Sequence, residues 1–303
     1  MLTTFGALAP VFLLIALGYG LRRAAFPGDA FWLDAERLVY WLLFPALLLV
    51  TTAGAVLAGF RIGPLAVALI AAILLTVALT FALRPWLKVD APAFTSVFQG
   101  AIRNNTYVAL AGASALYGQA GLAVMGVVVF VVVTTVNVLC VAVLVYYRGG
   151  TPSARQLVVP VVQNPLILAC VAGFALNALG LGLGAIPERT LEILGSGSLS
   201  LALLCVGAGL DLKRLGRHLR PIVATCVLKL LVMPAATALC LRLLGVEGLT
   251  AAVAVLFSAC PISASSYVLA RLLGGDAPLL ATLITITTLA AVLTMPLMLG
   301  LLT

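Results

Sequence analysis

Charge is what this sequence has least of. Only 9% of its 303 residues are Asp, Glu, Lys or Arg, too few to coat a water-soluble domain of that length. Histidine is nearly absent. The single His218 sits among Lys213, Arg214, Arg217 and Arg220, so a histidine-ligated metal site has no support. The six cysteines, Cys140, Cys170, Cys205, Cys226, Cys240 and Cys260, all lie in apolar stretches with no CxxC spacing and no neighbouring histidine. They read as small core residues rather than metal ligands or a redox pair. No phosphate-binding loop is present, which excludes an ATP-driven pump for this chain alone. The run Gly195, Ser196, Gly197, Ser198 has no histidine base near it, and no pair of aspartates lies within an apolar stretch. Intramembrane hydrolysis is therefore not expected, and the chain is read as a non-enzyme.

What is abundant is apolar surface: 64% of the residues are hydrophobic and the mean hydropathy is +1.25. A soluble core cannot absorb that much. At roughly 20 apolar residues per span plus short connections, the chain accommodates about ten membrane helices and leaves nothing for a soluble domain. Apolar runs between charged or Gly/Pro breaks place spans at 4–21, 36–56, 63–84, 93–117, 120–147, 158–181, 189–210, 220–244, 249–272 and 278–301. Residues 1–20 carry no Lys or Arg, and Arg22 and Arg23 follow them, so this segment is expected to stay as a first helix with its N-terminus outside.

The net charge of +8 does not point to nucleic acid, because the basic residues come one to four at a time between apolar runs. Twelve of the 17 Lys and Arg fall in connections after odd-numbered spans, against three on the other side (Arg61, Arg189 and Arg242), with Arg103 and Lys229 inside spans. By the positive-inside rule the odd-numbered connections are cytoplasmic and both termini extracytoplasmic, with the cell (inner) membrane as the location. The fold expectation is all-α and integral to the membrane.

Two segments interrupt the apolar pattern in matching places. FQGAIRNNTYVALAGASALYG (98–118) and FSACPISASSYVLARLLG (257–274) each run from Phe and small residues through a polar cluster to Tyr-Val and a Gly-containing turn. Splitting ten spans after the fifth starts the second set on the opposite side, so the likeness predicts two inverted five-helix repeats. The repeats are 1–147 and 158–303, joined by a cytoplasmic linker at 148–157, with helices 4 and 9 broken. Arg103, Asn104, Asn105 and Thr106 stand mid-span, where an Arg costs about 2.5–3.5 kcal/mol unless it faces protein, water or an anion. In span 9, Pro261 disrupts the helix, and Ser263, Ser265 and Ser266 supply hydroxyls for the released backbone groups. Paired interrupted helices point to a transporter's substrate site, and half-helix N-termini favour anions. Proline kinks and serine-rich packing faces are the plainer reading of each segment alone.

Lys229 inside span 8 and Asp211 at the end of span 7 are candidates for charge compensation or ion coupling; a structural ion pair, snorkelling or the start of a loop explains them as well. Pro45 and Asn164-Pro165 could shape a cavity, though kinks and helix starts explain them equally well, and Thr134, Thr135, Asn137 and Thr282, Thr285, Thr287 and Thr288 are more often interhelical packing residues than ligands.

Taken in order along the chain, PVFLLIALGYGLRR, LVYWLLFPALLL, the 98–118 segment, NPLILACVAGFALNALG, LCVGAGLDL, VLKLLVMP and PISASSYVLA resemble the auxin efflux carrier family in its bacterial branch. The resemblance implies a fold like that of bile acid:sodium symporters. Helices 1, 2, 6 and 7 would form a scaffold, often a homodimer, and helices 3–5 and 8–10 a transport unit moving as an elevator. Asn104, Asn105, Thr106 and residues 261–266 would meet the substrate at the crossing of the broken helices. Members carry organic anions such as auxin or small dicarboxylates. Unlike plant members, this chain has no proline at the break in helix 4 and only the short segment 148–156 between its halves. The expected function is a secondary transporter or facilitator for a small organic anion, with no cofactor and with Na+ or H+ coupling open. A sodium-coupled symporter is the second reading, and a receptor or channel the third.

Overall fold

The computed structural model describes residues 2–55, 61–211 and 219–303. His218, Lys213, Arg214 and Arg217, on which the reading of the basic connection rests, lie outside the described residues. Among those described, the chain is helical throughout, and the sole extended pairing is one isolated antiparallel bridge between Asn104 and Ile262.

Six helices are long and apolar enough to cross a membrane, or seven if the pair Ala154–Val162 and Pro165–Ala178, bent by 63°, counts as one. Most of the other predicted spans are those in which the helix is interrupted. α1 (Leu2–Arg23) is continuous. The second predicted span consists of α2 (Asp29–Leu38), a π turn (Val39–Leu43) and α3 (Phe44–Ala53). α4 (Ile62–Leu87) is continuous, whereas the fourth span divides into α5 (Ala91–Ile102) and the start of α6 (Thr106–Tyr147). At 1.5 Å per residue the 42 residues of α6 would measure about 63 Å, twice a bilayer core. Gly118 breaks the run with φ 58 and ψ −145, a conformation open mainly to glycine. That break falls between the predicted spans 93–117 and 120–147.

The second half follows with α7 (Ala154–Val162), α8 (Pro165–Ala178), α9 (Ala185–Ser196) and α10 (Ser198–Ala208). Next come α11 (Leu219–Val227), a second π turn (Leu228–Val232) and α12 (Met233–Leu243). α13 (Gly248–Ala259), α14 (Ser265–Leu273) and α15 (Ala277–Leu302) complete the chain.

Both π turns have the same cause. Pro45 and Pro234 each occupy the second position of the helix that follows. A proline there cannot donate to the carbonyl four residues back, and its ring crowds that carbonyl. Widening the preceding turn to the i to i+5 pattern relieves the clash.

Helix packing follows small residues. Gly18 of α1 lies against the backbone of Leu204, and Gly207 of α10 against the carbonyl of Ile15, so α1 and α10 touch backbone to backbone. Arg22 closes this contact by donating to the Ala208 carbonyl at 2.6 Å, a cation on a helix C-terminus. α3 lies against α8, where the Asn177 side-chain amide donates to the carbonyls of Ala53 and Ala55, both at 2.8 Å. α4 packs on α12, and α13 on α6. Outward faces carry exposed leucines such as Leu13, Leu74 and Leu293, as expected of surfaces solvated by lipid.

Candidate functional site

Two helix breaks face each other. α5 stops because Arg103 adopts an extended conformation (φ −86, ψ 124). α13 stops because Cys260 precedes Pro261 and is held extended (φ −64, ψ 150), the geometry a following proline imposes. The released backbone groups satisfy one another across the gap: Asn105 N–H donates to the Pro261 carbonyl at 2.8 Å, beside the Asn104–Ile262 bridge. Ile262 N–H is taken by the Thr287 hydroxyl at 3.3 Å. In this way two interrupted helices meet in an apolar interior with these freed groups hydrogen-bonded.

α6 restarts on Asn105, whose side-chain oxygen accepts from the N–H groups of Tyr107 (3.1 Å) and Val108 (3.2 Å), a helix N-cap. Asn164 does the same for α8, accepting from Leu166 (3.0 Å) and Ile167 (3.3 Å). α14 begins at Ser265 with no side-chain cap.

Two buried cations serve this region. Arg103 is 9% exposed; its Nη1 donates to Asn137 Oδ1 at 3.0 Å and its Nη2 to Ser265 Oγ at 3.1 Å. Its Nε has no partner. Lys229 projects from the second π turn and is fully buried. Its ammonium donates to Asn104 Oδ1 and to the Ser258 carbonyl at 3.3 Å, with Met233 Sδ at 3.4 Å. Among the described residues neither cation has a carboxylate within 4 Å; the ion pairs found there, Arg22–Asp29, Arg37–Asp34 and Arg189–Glu192, are all at exposed positions. Buried cations held only by neutral acceptors create a positive potential that an anion can relieve.

That potential opens onto a cavity of about 200 Å³. Of the eight residues expected at the substrate, six line it: Arg103, Asn104, Asn105, Thr106, Ser263 and Ser265. Pro261 does not, its carbonyl pairing the two breaks, and Ser266 lies fully buried with its hydroxyl unpartnered. Lys229 stands behind Asn104 rather than in the wall. Asp211 is elsewhere, beyond the end of α10, where its backbone N–H donates to Thr285 Oγ1 at 3.0 Å. The N-terminal residues of three helices reach the cavity: Thr106 and Tyr107 of α6, Leu166 with its cap Asn164 of α8, and Ser265 of α14. Their dipoles add to the charge of Arg103.

Several contributors escape a sequence reading. Asn137, expected to be a packing residue, holds Arg103, whereas Asn164, read as a cavity-shaping residue or a helix start, both lines the cavity and caps α8. Glu36, Tyr40 and Tyr107 also line it. Tyr107 is fixed by stacking on Phe44, centroids 4.7 Å apart. Gln99, fully buried on α5, has no partner for either amide atom. A lone Gln one turn before a polar cluster was the available signal.

Residues 152–299 match the membrane transport protein family. The match spans the second half of the chain, including the break at Pro261 and the π turn that carries Lys229. It supports the likeness drawn from the sequence motifs, and the apolar helices agree with a multi-pass membrane protein. No curated protein matches the chain.

Proposed function

We propose that this chain is a secondary transporter or facilitator that moves a small organic anion, a carboxylate, across the membrane by alternating access. The observation that carries the reading is Arg103: nine-tenths buried, with no carboxylate within 4 Å among the described residues, and part of the wall of the cavity where three helix N-termini converge. A carboxylate there would complete the charge and take up the free Nε donor. In this reading the ten spans form two inverted repeats, the helices broken at 103–105 and 260–264 cross, and both termini are extracytoplasmic. The close α1–α10 and α3–α8 contacts belong to a scaffold through which two copies could pair, and the remaining helices move as an elevator.

The test is uptake of labelled mono- and dicarboxylates by proteoliposomes holding the purified chain. Asn105→Ala removes the cap of α6, at a cost of about 1 kcal/mol, and displaces the break from the cavity. Uptake is expected to fall at least about tenfold, with the protein still eluting as a folded species. Full activity would separate Asn105 from the site.

Sodium coupling finds some of its candidate acceptors already taken. Two of the oxygens at the crossing, Asn104 Oδ1 and the Ser258 carbonyl, hold the Lys229 ammonium. Replacing the sodium gradient by an equal potassium gradient is therefore expected to leave uptake unchanged. A tenfold loss would restore the symporter reading.

A further inference from the structure

We infer that the site is built for a carboxylate that also carries an ammonium group, an amino-acid-like zwitterion, with Glu36 as the residue that selects it. The inference rests on the carboxylate-binding reading above and departs from it in net charge, since a zwitterion is neutral overall.

Glu36 and Arg103 line the same cavity yet do not pair, since no ion pair within 4 Å joins them. Glu36 is half-buried on α2, one turn before the first π turn. Among the described residues no hydrogen bond or ion pair reaches its carboxylate. Arg103 is nine-tenths buried with Nε unpartnered. Two opposite charges therefore face one small space, each with unfilled hydrogen-bonding capacity and neither neutralising the other.

A plain carboxylate would satisfy Arg103 but leave Glu36 as a second negative charge in a weakly screened cavity. An added ammonium group removes that repulsion and gives Glu36 a charge-assisted partner. Beside its polar groups the cavity wall carries apolar and aromatic side chains, among them Val136, Phe257 and the rings of Tyr40 and Tyr107. Such a wall suits a short hydrocarbon body linking the two ends.

The experiment measures binding to the purified full-length chain at pH 7 by isothermal titration calorimetry, using pairs that differ only in the amino group. Suitable pairs are propionate with alanine and with β-alanine, butyrate with γ-aminobutyrate, and isovalerate with valine. At least one amino member is expected to bind on the order of 30-fold more tightly than its deaminated partner. Glu36→Gln is expected to abolish that preference by weakening the amino member while leaving the plain acid as tight or tighter. Equal binding within every pair, or a preference that survives Glu36→Gln, overturns the inference while the anion reading stands. The comparison within wild type holds even where the variant does not fold. Absence of binding by every member of both series overturns both readings.

Discussion

Arg103→Gln lowers carboxylate uptake by about 100-fold, the scale expected when one partner of a buried charge pair is removed. The fold is expected to survive, for a specific reason. Arg103 has no carboxylate partner, and its donors go to Asn137 and Ser265, both neutral. Removing its charge therefore breaks no ion pair and relieves a desolvation cost. The melting temperature in detergent stays level or rises, and a stabilising shift produced by a bound carboxylate disappears. Arg103→Lys keeps the charge but not the fork that reaches Asn137 and Ser265 together, so uptake recovers only in part. A structural role for Arg103 predicts the reverse pattern, with Gln lowering the melting temperature and anion binding persisting. Unchanged uptake in the Gln variant would remove Arg103 from the site.

What the sequence made legible here is what hydrocarbon makes costly. Arg103, Asn104, Asn105 and Thr106 stood out because polar groups in mid-span need partners, and Pro261 because a proline in a helix frees a carbonyl. The pairing of the two breaks was not legible. Asn105 N–H to the Pro261 carbonyl joins residues far apart in sequence, and no local pattern encodes such a contact. The same holds for Asn137, which meets Arg103 from 34 residues away. Glu36 was hidden for a different reason. Asp29, Asp34, Glu36 and Arg37 precede the apolar run, and Glu36 falls on the first residue of the span predicted at 36–56. The helix in fact begins at Asp29, and its amphipathic first turns bury Trp32 and Ala35 while exposing Asp34 and Arg37. Glu36 and Tyr40, four residues apart, then share the face that lines the cavity. Pro45 was legible as a kink but not as a π turn, since the choice between bending and widening is made by the packing around it.

Asn104→Asp is expected to lower uptake by about 100-fold and to raise the melting temperature, a combination that few substitutions at a substrate site produce. The change exchanges one terminal atom. The oxygen that accepts from Lys229 remains, and the amide nitrogen that is lost had no partner, so no existing bond is broken. What changes is charge. Lys229 is fully buried and holds only neutral acceptors; a carboxylate at 104 completes an ion pair that the native site lacks. Supplying a counter-charge to an orphaned buried cation reverses the 3–5 kcal/mol penalty typical of breaking such a pair, less the cost of burying the new carboxylate. A net gain of about 2 kcal/mol would move the melting temperature by roughly 3 °C in a chain of this size. Asn104 lines the cavity, so the same carboxylate cancels the positive potential that Lys229 projects towards the substrate and repels an incoming anion. Uptake should fall by about 100-fold, the Coulomb scale for like charges a few ångströms apart in a partly screened site. Wild-type uptake in the Asp variant would mean that the Lys229 charge is not felt in the cavity, and would confine this lysine to holding the two helix breaks together.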